Sequence, residues 1–514
     1  MGYPSQLKNN IGFKYYSWNS INLKFKKMKS FLMLTAIVIL TLSKISFAQD
    51  AANNDLIDQD LLLEDYDFLL NTLEETHPNL YAYVPRKDFV EKTDEFRASI
   101  NKPMIKSDFH KILLQTIALI KQGHTMVFGD GGYREFLKSG GLAFPFKITY
   151  NCGHIYIDEN LSPHSEFVKG TEIIAVNHIT VNRIIDEFTP YLRVRPNGYI
   201  GSTISYNWGG FLWLLYGFSD QFTISYILPS EHKIQTKTIV GVTNEQIKNK
   251  SESSVKKDFE FNLEPARKTA WLKLNTFHLD FDRYDSLLTS VFKEIQKNQI
   301  ENLIIDVREN EGGNGNLVSM LLNYLTDKPY ISSAGSQVKT SEATKLCYTT
   351  HPVLVNAIEQ ARKAEGDKPE FLKLVDCFME AEPGTLTTFP KEIITPEENK
   401  LRFKGQLYVL TSKNTYSAGT LFSAQIKDNN IGIIIGEETS DNPTMYACIM
   451  LFELPNTKMN IQNSAQYSIR PGGFDDQHGV LPDYRVEPTY QDYMNGYDKV
   501  LNYTYWLIDE NITN

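Results

Sequence analysis

Gly405-Gln406-Leu407-Tyr408-Val409-Leu410-Thr411-Ser412-Lys413-Asn414-Thr415-Tyr416-Ser417-Ala418-Gly419-Thr420 is an apolar run that breaks into small polar residues and then resumes with helical spacing. The pattern predicts strand, sharp loop, helix. Residues 407–410 suit a buried strand, and Leu421, Phe422, Ala424 and Ile426 suit a helix whose first turn holds Ser417. A serine there sits at the positive end of a helix, where backbone N–H groups without intrahelical partners can hold a developing oxyanion. The position equally suits an ordinary N-cap serine, so this stretch alone leaves both readings open.

An α/β succession precedes it. A strand over 271–277, a helix over 284–295 with Leu287, Leu288, Val291, Phe292 and Ile295 inward, and a buried strand over 303–307 form a β-α-β unit. The second strand runs into Asp306-Val307-Arg308-Glu309-Asn310-Glu311-Gly312-Gly313-Asn314-Gly315-Asn316, followed by a helix over 317–325. This turn lacks both Gly-x-Gly-x-x-Gly spacing and a Gly-Lys-Ser/Thr ending, so no nucleotide is expected and no cofactor is assigned. Paired glycines do let the main chain approach a substrate carbonyl with no Cβ in the way, which makes Gly312 and Gly313 candidates for a backbone N–H pocket. Residues 331–403 read as an insertion over the core, helical from 352 to 364. Beyond 420, a strand over 431–435 leads into Gly436-Glu437-Glu438-Thr439, a β-rich segment, and Gly472-Gly473-Phe474-Asp475-Asp476-Gln477-His478-Gly479-Val480-Leu481-Pro482-Asp483, whose end reads as a tight turn leaving a strand.

Toward the N-terminus, residues 142–240 hold short β-rich runs at 144–150, 154–157 and 222–227. Within them Gly170-Thr171-Glu172-Ile173-Ile174-Ala175-Val176-Asn177-His178-Ile179-Thr180-Val181 reads as strand, tight turn, strand, then a helix around 184–188. That order resembles the latter half of a PDZ domain, whose usual role is to add a peptide as an extra strand. Asn177-His178 stands where Asn-Gly is usual, so a scaffold without peptide binding fits equally well. Residues 244–258, polar and lysine-rich, read as a linker or exposed loop. Between 55 and 119 the pattern is helical: Leu62, Tyr66, Leu69 and Leu73 share one face, and Phe109, Ile112, Leu113, Ile117 and Leu119 continue it beyond Pro103. This helical cap closes on Gln122-Gly123-His124-Thr125-Met126-Val127. A lone histidine beside a glycine is ordinarily a surface or satisfied core residue, so His124 gains weight only from the rest of the chain.

At 514 residues, 42% hydrophobic and 22% charged, the chain has room for two or three globular domains. A net charge of −10, with no basic cluster beyond the N-terminal lysines, argues against a nucleic-acid binder and for protein, peptide or small-molecule partners. The four cysteines, Cys152, Cys347, Cys377 and Cys448, have no zinc-ligand spacing, so no metal is expected. Cys347 and Cys377 lie in one segment and either pair in an oxidising compartment or remain thiols; spacing leaves this open.

Four stretches stand in one order: Gly123-His124-Thr125, Asp306-Val307-Arg308 through Gly312-Gly313, Thr415-Tyr416-Ser417-Ala418-Gly419, and Asp476 through Asp483. Together they resemble the C-terminal processing (tail-specific) protease family of serine peptidases, in its tricorn-core branch. The resemblance implies a multidomain α/β chain: an N-terminal extension and signal peptide at 1–48, a helical cap at 49–135 and a PDZ-like β-rich domain at 140–243. A spiral ββα catalytic core of the ClpP/crotonase type would follow at 259–330 and 404–514, split by the 331–403 insertion. It implies Ser417 as nucleophile, with an oxyanion hole from the backbone N–H of Ala418 and of Gly312 or Gly313. The base divides the family. The processing-protease branch takes a lysine from Gly-Glu-x-Thr-x-Gly-Lys, whereas this chain reads Gly436-Glu437-Glu438-Thr439-Ser440-Asp441-Asn442, and an amide cannot take a proton at neutral pH. The tricorn-like branch takes a histidine from an upstream Gly-His-Thr, matched by His124, steadied by a carboxylate just before the Gly-Val-x-Pro-Asp turn. Asp476 holds that place, where the family more often has Glu, and Asp475 and Glu438 are its rivals. The expected function is a secreted serine peptidase acting on proteins or peptides. The alternative is a catalytically inactive peptide- or small-ligand-binding protein on the same fold.

The first fifty residues read as an address. Lys24, Lys26, Lys27 and Lys29 precede an apolar run at 31–42, and Ser46-Phe47-Ala48 offers small residues at the two positions a signal peptidase reads. Those 12 residues are too few to span a bilayer, and no later apolar segment is long enough, so stable membrane insertion is not expected. Met28, directly before Lys29, is an alternative start. The expectation is export to the periplasm or the exterior, with a mature chain beginning at or near Gln49. N-terminal sequencing of exported protein checks it; a membrane-bound product that keeps residues 28–48 would make the segment an anchor instead.

Overall fold

The computed structural model describes residues 56–513, apart from 152, 194–199, 230, 253–256 and, within 351–369, all but 355, 358, 359 and 362. The leader at 1–48, Cys152 and most of the helix expected over 352–364 lie outside the described residues. The helical periodicity of the first segment produces α1 (Gln59–Thr76), α2 (Arg86–Ser99) and α3 (Lys106–Ala118). Leu62, Tyr66, Leu69, Leu73, Phe109, Leu113 and Ile117 form their shared core, all at 0% exposure. The Tyr66 hydroxyl is satisfied inside it by Thr116 Oγ1 at 2.9 Å. Next come β1 (Met126–Val127) and the short α4 (Tyr133–Lys138).

A separate antiparallel sheet follows, from β2 (Phe146–Asn151), β3 (His154–Asn160), β4 (Glu172–Val176), β5 (Ile179–Thr180), β6 (Gln221–Ile227) and β7 (Gln235–Val240). Its order is β2-β3-β4-β6-β7, with β5 on β4. Asn177 and His178 have φ of +46° and +68°, the positive values that a two-residue hairpin turn of the primed type demands. Between β5 and β6 lie α5 (Val181–Phe188) and α6 (Gly201–Tyr216). The sequence reading has no helix at 201–216. The segment is glycine- and aromatic-rich, with little intrinsic preference for a helix, and packing holds it: Ile204, Trp208 and Leu212 are buried against the sheet. The stretch read as linker is α7 (Asn244–Glu252). It starts on a Thr-x-x-Gln box, in which Gln246 N–H donates to Thr243 Oγ1 at 3.2 Å and Thr243 N–H donates to Gln246 Oε1 at 2.8 Å.

The remaining elements are β8 (Phe259–Glu264), β9 (Thr269–Leu274), α8 (Phe281–Lys297), β10 (Asn302–Asp306), α9 (Gly315–Leu322), β11 (Tyr330–Ser333), β12 (Gly335–Lys339), α10 (Glu342–Thr350) and α11 (Glu370–Glu380). They continue with β13 (Leu386–Phe389), β14 (Glu392–Ile394), β15 (Gln406–Thr411), α12 (Ala418–Asp428), β16 (Ile433–Gly436), β17 (Met445–Glu453), β18 (Asn460–Ile469), β19 (Tyr484–Arg485), α13 (Tyr490–Met494) and α14 (Lys499–Thr513). The central sheet has the order β19-β16-β15-β10-β9-β8, parallel except for β8. Every residue of β10 is buried, because Leu303 and Ile305 face α8, α9 and α12 while Ile304 packs with Tyr408, Leu410 and Ile508 on the other side. Each such side chain contributes about 1.5–3 kcal/mol. A second sheet, β1-β18-β12-β13 with β17 also on β18, is antiparallel. The 331–403 segment therefore supplies two of its strands. Cys347 and Cys377 are free thiols.

Arg308 ties β10 to the start of α14. Its fork donates to both carboxylate oxygens of Asp306, which is 0% exposed, and to both of Asp498. Burial pushes the Asp498 carboxyl up, but the Arg308 hydrogen bonds and charge outweigh it and hold the group below its usual range. Arg308→Met should cost about 3–5 kcal/mol at neutral pH, because it leaves Asp306 buried without its partner. A depressed carboxyl contributes stability that is lost as pH falls through its folded value, so the gap between variant and wild type should narrow in acid. Urea midpoints at neutral and acid pH check both statements.

Candidate active site

Strand β15 ends at Thr411 and α12 begins at Ala418, so Ser417 stands at the N-cap of α12. Its side chain makes no capping hydrogen bond, and its main chain has φ +50° and ψ −116°, a conformation L-residues rarely adopt. A backbone of this kind costs on the order of 1–3 kcal/mol and persists only where its surroundings impose it. Here Thr415 Oγ1 donates to Val307 O at 2.9 Å and Tyr416 N–H donates to Asn310 O at 2.9 Å, stitching the serine loop to the glycine loop. The hydroxyl instead meets the histidine: His124 Nε2 lies 3.2 Å from Ser417 Oγ.

His124 arrives through β1, whose Met126 and Val127 pair with Gln462 and Ile461 of β18. Gln462 Nε2 donates to His124 O at 2.8 Å, and the imidazole stacks on the Tyr416 ring at 5.5 Å. Burial pushes the Tyr416 phenol well above its ordinary range, so it remains a neutral ring beside the histidine. A Cβ at Gly123 would lie 2.2 Å from the Tyr416 hydroxyl, so a larger residue there would have to displace the end of that side chain.

The carboxylate expected beside the imidazole is elsewhere. Asp476 accepts from His478 N–H at 3.3 Å and faces Arg470 Nη1 at 3.7 Å; it does not contact His124. Arg470, 3% exposed and locked in a fork to Asp428, turns that loop toward itself. Of the rivals, Asp475 accepts from Asn442 Nδ2 and Gln477 N–H, each at 3.0 Å. Glu438 accepts from Gly479 N–H at 2.7 Å and lies 3.4 Å from His478 Nδ1. The carboxylate that faces the imidazole is Asp441, whose Oδ2 stands 4.0 Å from His124 Nδ1, with both side chains largely buried. The sequence carried a signal for it: Asp441 adjoins Asn442, the position where a lysine base would stand. The two lysines nearest Ser417 in sequence are engaged elsewhere, Lys413 with Glu437 at 3.0 Å and Lys427 with Asp483 at 2.6 Å.

Of the glycine candidates, Gly312 spends its N–H on Asn310 Oδ1 at 2.9 Å. The bridge from this loop to Phe277 uses Gly312 O and Asn314 N–H, passing over Gly313. Among the described residues, Gly313 N–H and Ala418 N–H are the expected oxyanion donors left without an acceptor; Ala418 is at the first turn of α12, where such groups have none in the helix. Gly312 serves by its lack of a side chain: a Cβ there would lie 2.6 Å from Ser417 Cβ. No group of three or more His, Cys, Asp or Glu among the described residues is arranged to hold a metal ion.

The sequence profile of Peptidase family S41 matches residues 268–486, the span that holds both the glycine loop and Ser417. Among solved structures, mature CPAF has a TM-score of 0.61 at 16% identity, over 88% of this chain and 98% of that one. Mature CPAF complexed with lactacystin gives the same score and identity, over 88% and 99%. The photosystem II D1 C-terminal processing protease matches at a TM-score of 0.42 and 15% identity, over 84% and 93%. The likeness to CPAF is one of fold. No curated protein matches this sequence significantly.

Gly312→Ala should lower the rate at which a fluorophosphonate labels Ser417 by about 10²-fold, since the new Cβ at φ +97° must displace the serine by a few tenths of an ångström or more. Gly315→Ala is the control, because its Cβ meets only Leu421 at an ordinary 3.5 Å. Equal labelling of the two variants would remove the close-approach argument.

Proposed function

We propose, for a chain whose residues 268–486 belong to peptidase family S41 and which is thereby a hydrolase of the serine-peptidase type, a Ser417–His124–Asp441 mechanism acting on proteins or peptides. The observation that carries the reading is the strained Ser417 main chain, whose hydroxyl makes no capping bond to its own helix and lies within 3.2 Å of an imidazole nitrogen. A serine kept only to cap α12 would have no reason for that conformation, and this weighs against an inactive binding scaffold. The domain reading from the sequence goes with it: a helical cap at 49–135, a PDZ-like domain at 140–243 and a spiral ββα core around the insertion.

In the first step His124 Nε2 takes the Ser417 proton as Oγ attacks the scissile carbonyl. The tetrahedral oxyanion is held by Ala418 N–H and Gly313 N–H, preorganised by the helix start and the glycine loop. His124 then returns the proton to the leaving amine. Water, deprotonated by the same nitrogen, releases the acyl group from Ser417. Asp441 faces Nδ1 at 4.0 Å, and closing that gap as the imidazolium forms would let it accept the Nδ1 proton in a hydrogen bond and fix the ring's orientation. The proposal includes an exported protein, on the strength of the leader pattern at 24–48.

Ser417→Ala should reduce hydrolysis of denatured casein by about 10³-fold or more with the fold intact. His124→Ala should cost nearly as much, and the double variant little more, because residues acting as one unit are not additive. Asp441→Ala should lower kcat by less than His124→Ala, whereas Asp476→Ala should remain near wild type. The base must be neutral to accept a proton, so kcat/KM should rise with pH, and His124→Ala should remove that rise. A profile rising only where lysines deprotonate, with His124→Ala still active, would overturn the assignment.

A further inference from the structure

The histidine loop is held by more than its β-pairing. Arg193, just after α5 in the sheet domain of β2–β7, reaches out of that domain, and its Nη1 donates to Gly123 O at 2.6 Å and Thr125 O at 3.4 Å. The two acceptors lie one residue before and one residue after His124. The intervening carbonyl, His124 O, is taken by Gln462 Nε2. Thr125 Oγ1 is fixed to Asn463 Oδ1 at 3.1 Å, and Asn463 Nδ2 donates to Thr76 Oγ1 at 2.6 Å. Three successive carbonyls around the base are thus held by side chains from two other parts of the chain.

Among the described residues no carboxylate pairs with Arg193, and burial draws its guanidinium below the ordinary range. A half-buried cation with no carboxylate beside it among the described residues is costly, so the position is not explained as a surface ion pair. Among the described residues its hydrogen bonds go to the backbone on either side of the histidine, and its charge interacts with Tyr416, the ring on which the imidazole stacks. Resting on the reading of His124 as the base, we propose that Arg193 is a positioning residue for the reaction: it clamps the backbone on both sides of His124 and keeps Nε2 within reach of Ser417 Oγ. The proton acceptor is thereby mounted partly on the β2–β7 domain, while the nucleophile is mounted on the central sheet. Loss of the clamp leaves Gln462 holding the middle carbonyl alone, so the base still arrives but no longer in one orientation.

The test uses the full chain with denatured casein as substrate. Arg193→Ala should lower kcat by roughly 10- to 100-fold, the scale of a misplaced reacting group, with KM near wild type. Arg193→Lys, which keeps several donors on one nitrogen, should fall between the two. On a His124→Ala background, Arg193→Ala should cost nothing more, because a residue acting through the base has nothing left to act on. A rise in KM with unchanged kcat, or an equal further loss on the His124→Ala background, would overturn the proposal and assign Arg193 to substrate binding or to the fold. A second readout does not depend on activity. The rate of diethyl pyrocarbonate modification of His124, mapped by mass spectrometry, should increase in Arg193→Ala and in Arg193→Lys if the loop is released. An unchanged rate in both rejects the clamp. If wild type neither cleaves casein nor labels at Ser417, the peptidase reading fails, and the modification rate still decides whether Arg193 holds the loop. Should Arg193→Ala not fold, the lysine variant carries both measurements.

Discussion

The main chain at Ser417 lies where a side-chain-bearing residue is strained, and the contacts that impose this conformation are the ones around which the core is organised. Asn310 is the centre of them. Fully buried, it donates from Nδ2 to Leu274 O at the end of β9, accepts Gly312 N–H on Oδ1, and offers its main-chain oxygen to Tyr416 N–H. One side chain and its peptide therefore connect three segments: the strand end, the glycine loop and the serine loop. Buried polar groups satisfied in this way specify a single arrangement, because any rearrangement would leave a donor or acceptor unpaired in a low-dielectric interior.

The same convergence explains the glycines. Gly312 has to be small because Ser417 Cβ occupies the space a side chain would need, and Gly313 because the Phe277 carbonyl does, at 2.3 Å from where a Cβ would sit. Close backbone approach of this kind is what lets main-chain N–H groups, rather than flexible side chains, face the point where negative charge would develop. The parallel pairing of β10 with β15 sets the two loops side by side, since each leaves the same end of its strand. Ligand sites in parallel sheets form at that end for this topological reason.

The histidine stacks on Tyr416 of that arrangement but is carried by another part of the chain. It lies 293 residues from Ser417 in the chain and comes from the helical segment, delivered by two β1–β18 pairings and held by Gln462 and Arg193. Ser417 and His124 therefore rest on different sheets. Their separation is decided by how the sheets pack, and a fraction of an ångström in that packing matters to proton transfer.

The sequence by itself determined what is local. The β-α-β periodicity of 271–307, the strand-loop-helix at 405–426 and the apolar faces of α1 and α3 were legible because burial repeats every two or 3.6 residues along one segment. Ser417 and His124 were legible as candidates, as was the amide at Asn442 in a lysine's place. α6 was not legible, since its stability comes from Trp208 and Leu212 meeting a sheet built from distant strands. The Thr243–Gln246 box is present in the sequence, at the edge of a lysine-rich stretch whose polarity masks its helical character. Only the tertiary structure decided which carboxylate faces the imidazole, because a motif sets the place of Asp476 in the chain but not the direction of its side chain. That direction follows from the buried Arg470–Asp428 fork, and Asp441 faces His124 instead. It likewise decided that Gly312 N–H is spent on Asn310, and that Arg193, 70 residues further along the chain, donates to Gly123 O in the histidine loop. Such pairings join residues with no spacing relation in sequence, so no periodicity or motif encodes them, and they exist only once the sheets have packed.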